Sequence, residues 1–322
     1  MAGNDKGVVC VTGGTGFLAS WLIMKLLQNG YSVHTTIRDI NRDISFLRNL
    51  PGASERLQIF VADLEQPDSF DAAVEGCTGV FLVAHPGAFD DKEPEEMDTK
   101  RRVNGALGIL KACLNAKTVK RVVYTSSAFT VLFNDKGLDS IDESAWTDVD
   151  FVKALKPFGA SYIITKTLIE NTCLEFAEKN GLDFVSLIPS MITGPFICPR
   201  CPGSVYTSLA MIFGDKDQYK NLTVAPMVHV DDAASAHIFL LEYPEAKGRY
   251  ICSAVEITVR EMSEFLSARY PEYQIPKIDS SEGFKYYNLS SKKLLDSGFT
   301  CKNGLNEIYD EAIQCCKEKG LL

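Results

Sequence analysis

Short apolar runs rich in β-branched residues alternate with amphipathic stretches from the start of the chain to Pro189. The strand-like runs fall at 8–12 (VVCVT), 32–37 (SVHTTI), 57–62 (LQIFVA), 79–84 (GVFLVA), 120–126 (KRVVYTS) and 183–188 (DFVSLI). Helix-like segments lie between them near 17–29, 67–75, 93–116 and 161–180. Runs that are continuously apolar suit strands buried on both faces, which is the condition of a parallel sheet covered by helices. The order predicts an α/β domain built on a doubly wound parallel sheet.

After Pro189 the rhythm changes. A Pro/Gly loop (194–204) and a short helical stretch (204–213) precede VHVDDAASAHIFLLEY (228–243), whose apolar spacing is helical. GRYIC (248–252) reads as a strand, Thr258-Val259-Arg260-Glu261 as a capping box opening a helix to about Arg269, and 305–319 as a final helix. These elements predict a smaller, mainly helical region beside the main sheet.

Between the first strand and the first helix stands Thr12-Gly13-Gly14-Thr15-Gly16, the context a dinucleotide fingerprint requires. Gly13 permits a sharp turn. Gly16 permits a pyrophosphate to approach the backbone, where the amides and dipole of the next helix attract it. The spacing is Gly-x-x-Gly-x-x-Ala, and Ala19 is small enough for close helix–strand packing. The second strand ends HTTIRD, with Arg38 where an NAD-binding domain carries an acid. A guanidinium clamps a 2′-phosphate that a carboxylate would repel, with Arg42 nearby to help, so the expected cofactor is NADP(H). Asp39 is the alternative, serving an unphosphorylated ribose if Arg38 turns outward. Asp63, in the ADL at 62–64, is placed to meet the adenine amino group. On this reading residues 1–192, rejoined by 225–250, form the dinucleotide-binding domain. Residues 193–224 and 251–322 form the substrate-binding region.

ASYIITKT (160–167) sets Tyr162 and Lys166 four apart, on one helix face. A free phenol has a pKa near ~10, and a neighbouring ammonium lowers it toward neutrality. Lys166 can also hold the nicotinamide ribose. Ser126 or Ser127, at the tip of the fifth strand, would orient a substrate carbonyl. The Tyr-x-x-x-Lys spacing recurs at Tyr243/Lys247 and Tyr273/Lys277, but Pro244 and Pro276 interrupt those copies and no serine-tipped strand precedes them.

Composition narrows the remaining classes. The net charge of −9 gives a nucleic-acid role no electrostatic support. No apolar run approaches the roughly 18 residues of a membrane span, and MAGNDKG leads into a strand rather than a leader, so a cytoplasmic protein is expected. The acidic run DDKEPEEMD (90–98) reads as a solvated helix start. Ten scattered cysteines read as free thiols. Cys198-Pro199-Arg200-Cys201 lacks a second pair at finger spacing, so it predicts no metal site and reads as structural or incidental, with a redox role the alternative.

Taken together, TGGTGFLAS, TTIRD, ADL, YTSSA, YIITK and VHVDDAASAH resemble the dihydroflavonol-4-reductase-like group of plant extended short-chain dehydrogenases/reductases, a Rossmann-fold family. The likeness runs from Val8 to the C-terminus and includes LPGASERLQIFVADL, KPFG, AKGRYICS and AIQCCKEKGLL. The resemblance implies a catalytic triad of Ser127, Tyr162 and Lys166, with the second serine of the pair facing the substrate. It implies a cofactor surface of Gly13, Thr15, Gly16, Phe17, Leu18, Arg38, Asp63, Leu64, Val83, Ala84, His85, Thr125, Tyr162, Lys166, Pro189 and Ile192. Pro189 to Pro195 matches the family's Pro-x-x-x-x-Gly-Pro segment beside the nicotinamide. The implied substrate pocket holds His85, Ser127, Phe129, Leu132, Phe158, Met191 and Met227.

The departures from the family bear on substrate. Leu132 replaces an asparagine that reads a hydroxylated ring, and leucine offers a catechol hydroxyl no hydrogen bond. Phe129 replaces a small residue and narrows the pocket. His85 stands where the family has Ser or Thr; it either substitutes as a neutral hydrogen-bonding group or assists proton transfer. The reductase signature for coenzyme A thioesters around the tyrosine is absent. The resemblance thus implies an NADPH-dependent reductase that converts a ketone of a plant polycyclic phenolic, isoflavanone-like first or dihydroflavonol-like, or of a related specialised metabolite to a secondary alcohol, acting as a monomer or weak homodimer. An NADP-dependent dehydrogenase of an alkaloid alcohol or hemiacetal is the nearest alternative, and a non-catalytic nucleotide-binding regulator a more distant one.

Overall fold

The computed structural model describes residues 6–84, 95–137, 139–157, 159–219, 224–278 and 288–322. Strands β1 (Val8–Val11), β2 (Ser32–Ile37), β3 (Leu57–Val61), β4 (Gly79–Leu82) and β5 (Arg121–Thr125) precede a short β6 (Ser140–Ile141). Then follow β7 (Phe184–Pro189), β8 (Met191–Thr193), β9 (Val224–His229), β10 (Gly248–Cys252), β11 (Val255–Thr258) and β12 (Asn288–Leu289). Seven of these make one sheet in the order β10-β7-β5-β4-β1-β2-β3. Every pair in it is parallel.

β4, β5 and β7 are buried at every residue, as their unbroken apolar runs require. Helices Phe17–Gln28 and Val230–Glu242 pack on the sheet face lined by Val9, Val11, Phe81 and Val123. Helices Glu95–Ala116 and Ala160–Asn180 contribute Ile109, Leu110, Ile169 and Cys173 to the other face. The chain leaves β1 toward β2 on one side and later toward β4 on the other. That reversal opens a crevice at the carboxyl ends of β1 and β4, the place where doubly wound sheets bind ligands.

The region beyond Pro189 carries more strand than its helical spacing predicts. β8, β9 and β11 form a separate sheet in the order β11-β9-β8. The stretch 228–243, expected to be helical throughout, begins as the end of β9, and the helix starts at Val230. β9 alternates between two cores: Met227 packs with Ile257, Met262 and Tyr309, whereas Val228 packs with the main sheet. The Thr258/Glu261 capping box forms as predicted, with both reciprocal bonds present. Among the described residues, no helix is long and apolar enough to cross a membrane.

Candidate active site

The chain turns out of β1 at Gly13, whose φ of 73° lies in the left-handed region that favours glycine. Its amide donates to Thr36 Oγ1 at 3.1 Å, and that of Gly14 to the Thr36 carbonyl at 2.9 Å. The buried Thr12 hydroxyl accepts from the amides of Val83 and Ala84 at 3.0 and 2.9 Å, tying the loop to the end of β4. Gly14 is a residue the sequence reading left without a role. A Cβ there would stand 2.2 Å from Thr35 Oγ1, so the loop can lie this close to β2 only with glycine. The signal was present in the doubled glycine of TGGTG.

Gly16 is exposed and caps helix Phe17–Gln28 without any side-chain bond to its first turn. The first amides of a helix have no partner within it, so this terminus offers donors and a positive dipole end to an anion. A loop whose glycines let it pack closely on Ala84 and Thr35, leading to a helix N-terminus with no side-chain cap, fits a pyrophosphate. Ala19 is buried in the main core as a packing residue, Leu18 is buried beside it, and Phe17 meets Phe196 edge-on at 6.5 Å. Thr15 is half-buried. At the tip of β2, Arg38 and Arg42 are exposed. The Asp39 carboxylate accepts the Asn41 amide at 2.9 Å, engaged in its own turn. Asp63 likewise closes a turn by accepting the Glu65 amide at 3.1 Å, and Leu64 is half-buried against the helix Glu95–Ala116 core.

The catalytic candidates converge at the carboxyl end of β5. Ser126 and Ala128 donate their amides to Leu187 and Pro189 at 2.7 and 2.9 Å, fixing the serine turn against β7. The Ser127 hydroxyl lies near the Tyr162 phenol, close enough to favour its ionised form, and accepts the Phe129 amide at 3.3 Å. The Tyr162 ring meets Phe129 edge-on at 6.0 Å. Lys166, one helical turn on, is buried; its Nζ donates to the Thr125 carbonyl at 2.8 Å and lies 5.1 Å from the Tyr124 ring centroid.

The electrostatics differ from the sequence expectation. Burial raises the Tyr162 phenol above its ordinary value, and the Ser127 hydroxyl offsets this in part. Lys166 is not what sets the phenol, because its ammonium is turned to Thr125. Burial instead brings Lys166 down to about 8, opposed by the nearby Glu170 and Cys173. A raised phenol holds its proton through neutral pH, as a group that donates one must.

His237 is a further residue that pattern reading missed. It is fully buried on helix Val230–Glu242, with Nδ1 2.7 Å from the Ala233 carbonyl and Nε2 2.7 Å from Thr125 Oγ1. A carbonyl only accepts, so Nδ1 carries the proton and Nε2 accepts from the Thr125 hydroxyl. Burial lowers its pKa to about 4, which keeps it neutral. Thr125 is thereby held at both oxygens, its carbonyl by Lys166 and its hydroxyl by His237.

Not every expected site residue joins this cluster. Phe129 is exposed beside Tyr162, and Leu132 is half-buried against Ala128, Val131 and Ile141. Val83, Ala84, Met191 and Ile192 are half-buried, and Pro189 is buried at the end of β7, paired with Cys252. Met227, expected to line the pocket, is fully buried between β8 and β11 and reaches no open space, because β9 alternation turns it into the second core. His85 and Phe158 lie outside the described residues. All ten cysteines are free thiols; Cys201 faces Cys316 across the second core rather than pairing with Cys198.

A glycine-turned β1–helix junction and a Ser–Tyr–Lys cluster at the end of β5, on a doubly wound sheet, define the extended short-chain dehydrogenase/reductase class. The sequence profile of the NAD dependent epimerase/dehydratase family matches residues 9–252, and the chain belongs to that family. It is 55% identical to the vestitone reductase of Medicago sativa, over 99% of both chains. It is 46% identical to a noscapine synthase of Papaver somniferum, over 100% of this chain and 95% of that one. The crystal structure of the alfalfa vestitone reductase superposes with a TM-score of 0.89, at 54% identity, covering 98% of this chain and all of that one. A yeast methylglyoxal/isovaleraldehyde reductase complexed with NADPH shares the fold with a TM-score of 0.83 at 23% identity, over 98% of this chain and 100% of that one.

Proposed function

We propose that the protein is an NADPH-dependent reductase that converts a ketone of a plant polycyclic phenolic, an isoflavanone or dihydroflavonol, to a secondary alcohol. The observation that carries this reading is the gathering of Ser127, Tyr162 and Lys166 at the carboxyl end of β5, with Lys166 locked to the Thr125 carbonyl and the Tyr162 ring held edge-on by Phe129. NADPH, when bound, supplies the hydride. The Gly13–Gly16 loop and the first turn of helix Phe17–Gln28 hold its phosphates, and Arg38 holds the 2′-phosphate. Tyr162 gives its proton to the carbonyl oxygen and Ser127 polarises that oxygen. Lys166 has one proton on Thr125 and two others to offer the ribose hydroxyls. Similarity to a vestitone reductase and to dihydroflavonol 4-reductases supports the substrate class.

A second reading is supported by the noscapine synthase likeness and by Leu132 and Phe129, which give a hydroxylated ring no hydrogen bond. The same groups then run in reverse on an alkaloid alcohol or hemiacetal, with NADP⁺. The test is NADPH consumption with isoflavanones, dihydroflavonols and alkaloid ketones. Turnover on the phenolic ketones is expected. Silence across the panel, with NADPH still bound tightly, would overturn the first reading in favour of the second.

We further assign residues 1–192 and 225–250 to the cofactor domain, and 193–224 and 251–322 to the substrate region; the separate apolar cores on either side of β9 support the division. Ten free thiols and NADPH dependence suit the reducing cytosol, where the chain acts as a monomer or weak homodimer.

Cofactor choice is checked at Arg38. Asp39 is occupied by its own turn, so the guanidinium carries the preference for a 2′-phosphate. Arg38→Ser is expected to raise the Kd for NADPH roughly 10- to 100-fold, the worth of a charged hydrogen-bonded contact. The Kd for NADH should not change, and fluorescence titration with both cofactors reads the difference.

A further inference from the structure

Behind the Tyr162–Lys166 pair, one turn further along the same helix, the fully buried Glu170 carboxylate takes four hydrogen bonds. Ser126 Oγ donates at 2.7 Å, Ser186 Oγ at 2.5 Å, and Arg249 through Nε at 3.0 Å and Nη2 at 3.2 Å. Arg249 is itself buried. It donates to the carbonyls of Glu143 and Ala145 at 3.0 and 2.6 Å and to Thr130 Oγ1 at 3.1 Å, and its guanidinium lies 3.6 Å from the Trp146 ring centroid. One carboxylate thus joins the turn after β5, the middle of β7 and β10 to the helix that carries Tyr162 and Lys166.

A buried ion pair is a poor way to gain stability, since an apolar pair of similar volume does as well or better. Its place in the molecule suggests what it does instead. Ser126 precedes Ser127 in the turn, and Thr130 lies within the short helix Phe129–Leu132, whose first ring packs on Tyr162. Glu170 is four residues from Lys166, on the same helix face. Among the described residues, the charged and titratable groups around the lysine are Glu170 and Cys173 on its own helix, Tyr162 one turn before, Tyr124 on β5 and, across Thr125, the neutral His237. Around the guanidinium stand Glu170 and, beyond β10, Glu143 and Lys293.

We propose that Glu170 is a positioning residue for the reduction: clamped by Arg249, it fixes the Ser126–Ser127 turn against Tyr162 and supplies the negative charge that keeps the buried Lys166 protonated. The lysine is already close to losing its proton because burial disfavours the ammonium; the carboxylate opposes that, together with Cys173. Removing the charge lowers the lysine further, so the ammonium is lost at a lower pH. Arg249 acts at one remove, by holding the carboxylate ionised and in place.

The kinetic half of this inference rests on the reductase reading and the titration half does not, which keeps the two failures apart. In Glu170→Gln, with Lys166 followed by NMR in protein carrying ¹³C-labelled lysine, the titration is expected to move down by about one pH unit, the effect of losing an opposite charge at this range. The alkaline limb of kcat/KM should move with it, since the reduction needs both Lys166 and Tyr162 protonated. A purely structural Glu170 predicts a lower Tm and lower kcat with neither pH shift. Should the single variant leave Arg249 unpaired and fail to fold, Glu170→Gln/Arg249→Met removes both charges; the lost cation offsets part of the effect, so a downward shift smaller than in the single variant is expected, and a Lys166 titration that stays put or rises overturns the proposal. A folded variant whose Lys166 titrates as in the parent overturns the proposal, as does an alkaline limb that stays put while the lysine moves.

Discussion

Tyr162→Phe is expected to lower kcat for ketone reduction by roughly 10²- to 10⁴-fold, the usual worth of a positioned proton donor, while the Kd for NADPH stays unchanged. The variant deletes one oxygen and keeps the ring. The edge-on contact with Phe129 survives, so folding should not suffer. What is lost is the proton that burial keeps on the phenol, beside the Ser127 hydroxyl. Turnover followed by NADPH absorbance, beside a fluorescence titration of cofactor binding, separates chemistry from binding. A variant that turned over like the parent would place the proton donor elsewhere.

The second large effect is expected in the glycine loop. Gly14→Ala places a methyl carbon 2.2 Å from Thr35 Oγ1 and 3.1 Å from Ile23 Cδ1. Thr35 cannot move aside freely, because it is fully buried and its hydroxyl donates to the Val11 carbonyl at 2.8 Å. Helix Phe17–Gln28 and β2 must separate, at about 1–3 kcal/mol for an overpacked core, and the Tm should fall by roughly 2–12 °C on that scale. The displaced loop should also weaken NADPH binding. Adding Thr35→Ala removes the clashing oxygen, so the double variant is expected to recover most of the lost Tm. Independent losses that merely add would show that the clash is not the cause.

Much of this architecture follows from pattern alone. β4, β5 and β7 are short, apolar and β-branched, and parallel burial leaves no polar face to confuse the reading. β9 was hidden because Pro226 interrupts its run and its residues serve two cores in turn, which resembles neither a buried strand nor a helix face. Tyr162 and Lys166 were legible because their spacing is local, and the serines because they end a strand-like run. Glu170, Arg249 and His237 were not: each is an ordinary polar residue on its own element, and its role depends on partners brought together only by sheet order. The shift of the Tyr162 phenol was misjudged for a related reason. Helical spacing puts Lys166 on the right face, but the carbonyl of Thr125, 41 residues distant in sequence, decides where the ammonium points.

The position of β10 at the edge of the sheet has a consequence for how the chain is made. Glu170 and Arg249 are 79 residues apart. At ribosomal rates of roughly 5–20 residues per second, the carboxylate therefore exists for about 4–16 s before its guanidinium has been synthesised. During that interval a nascent chain can pair β1, β2, β3, β4, β5 and β7, yet it carries an uncompensated charge at the place where the edge strand will dock. Closure of the sheet and arrival of the guanidinium that clamps the proton-donating centre then fall at the same moment of synthesis.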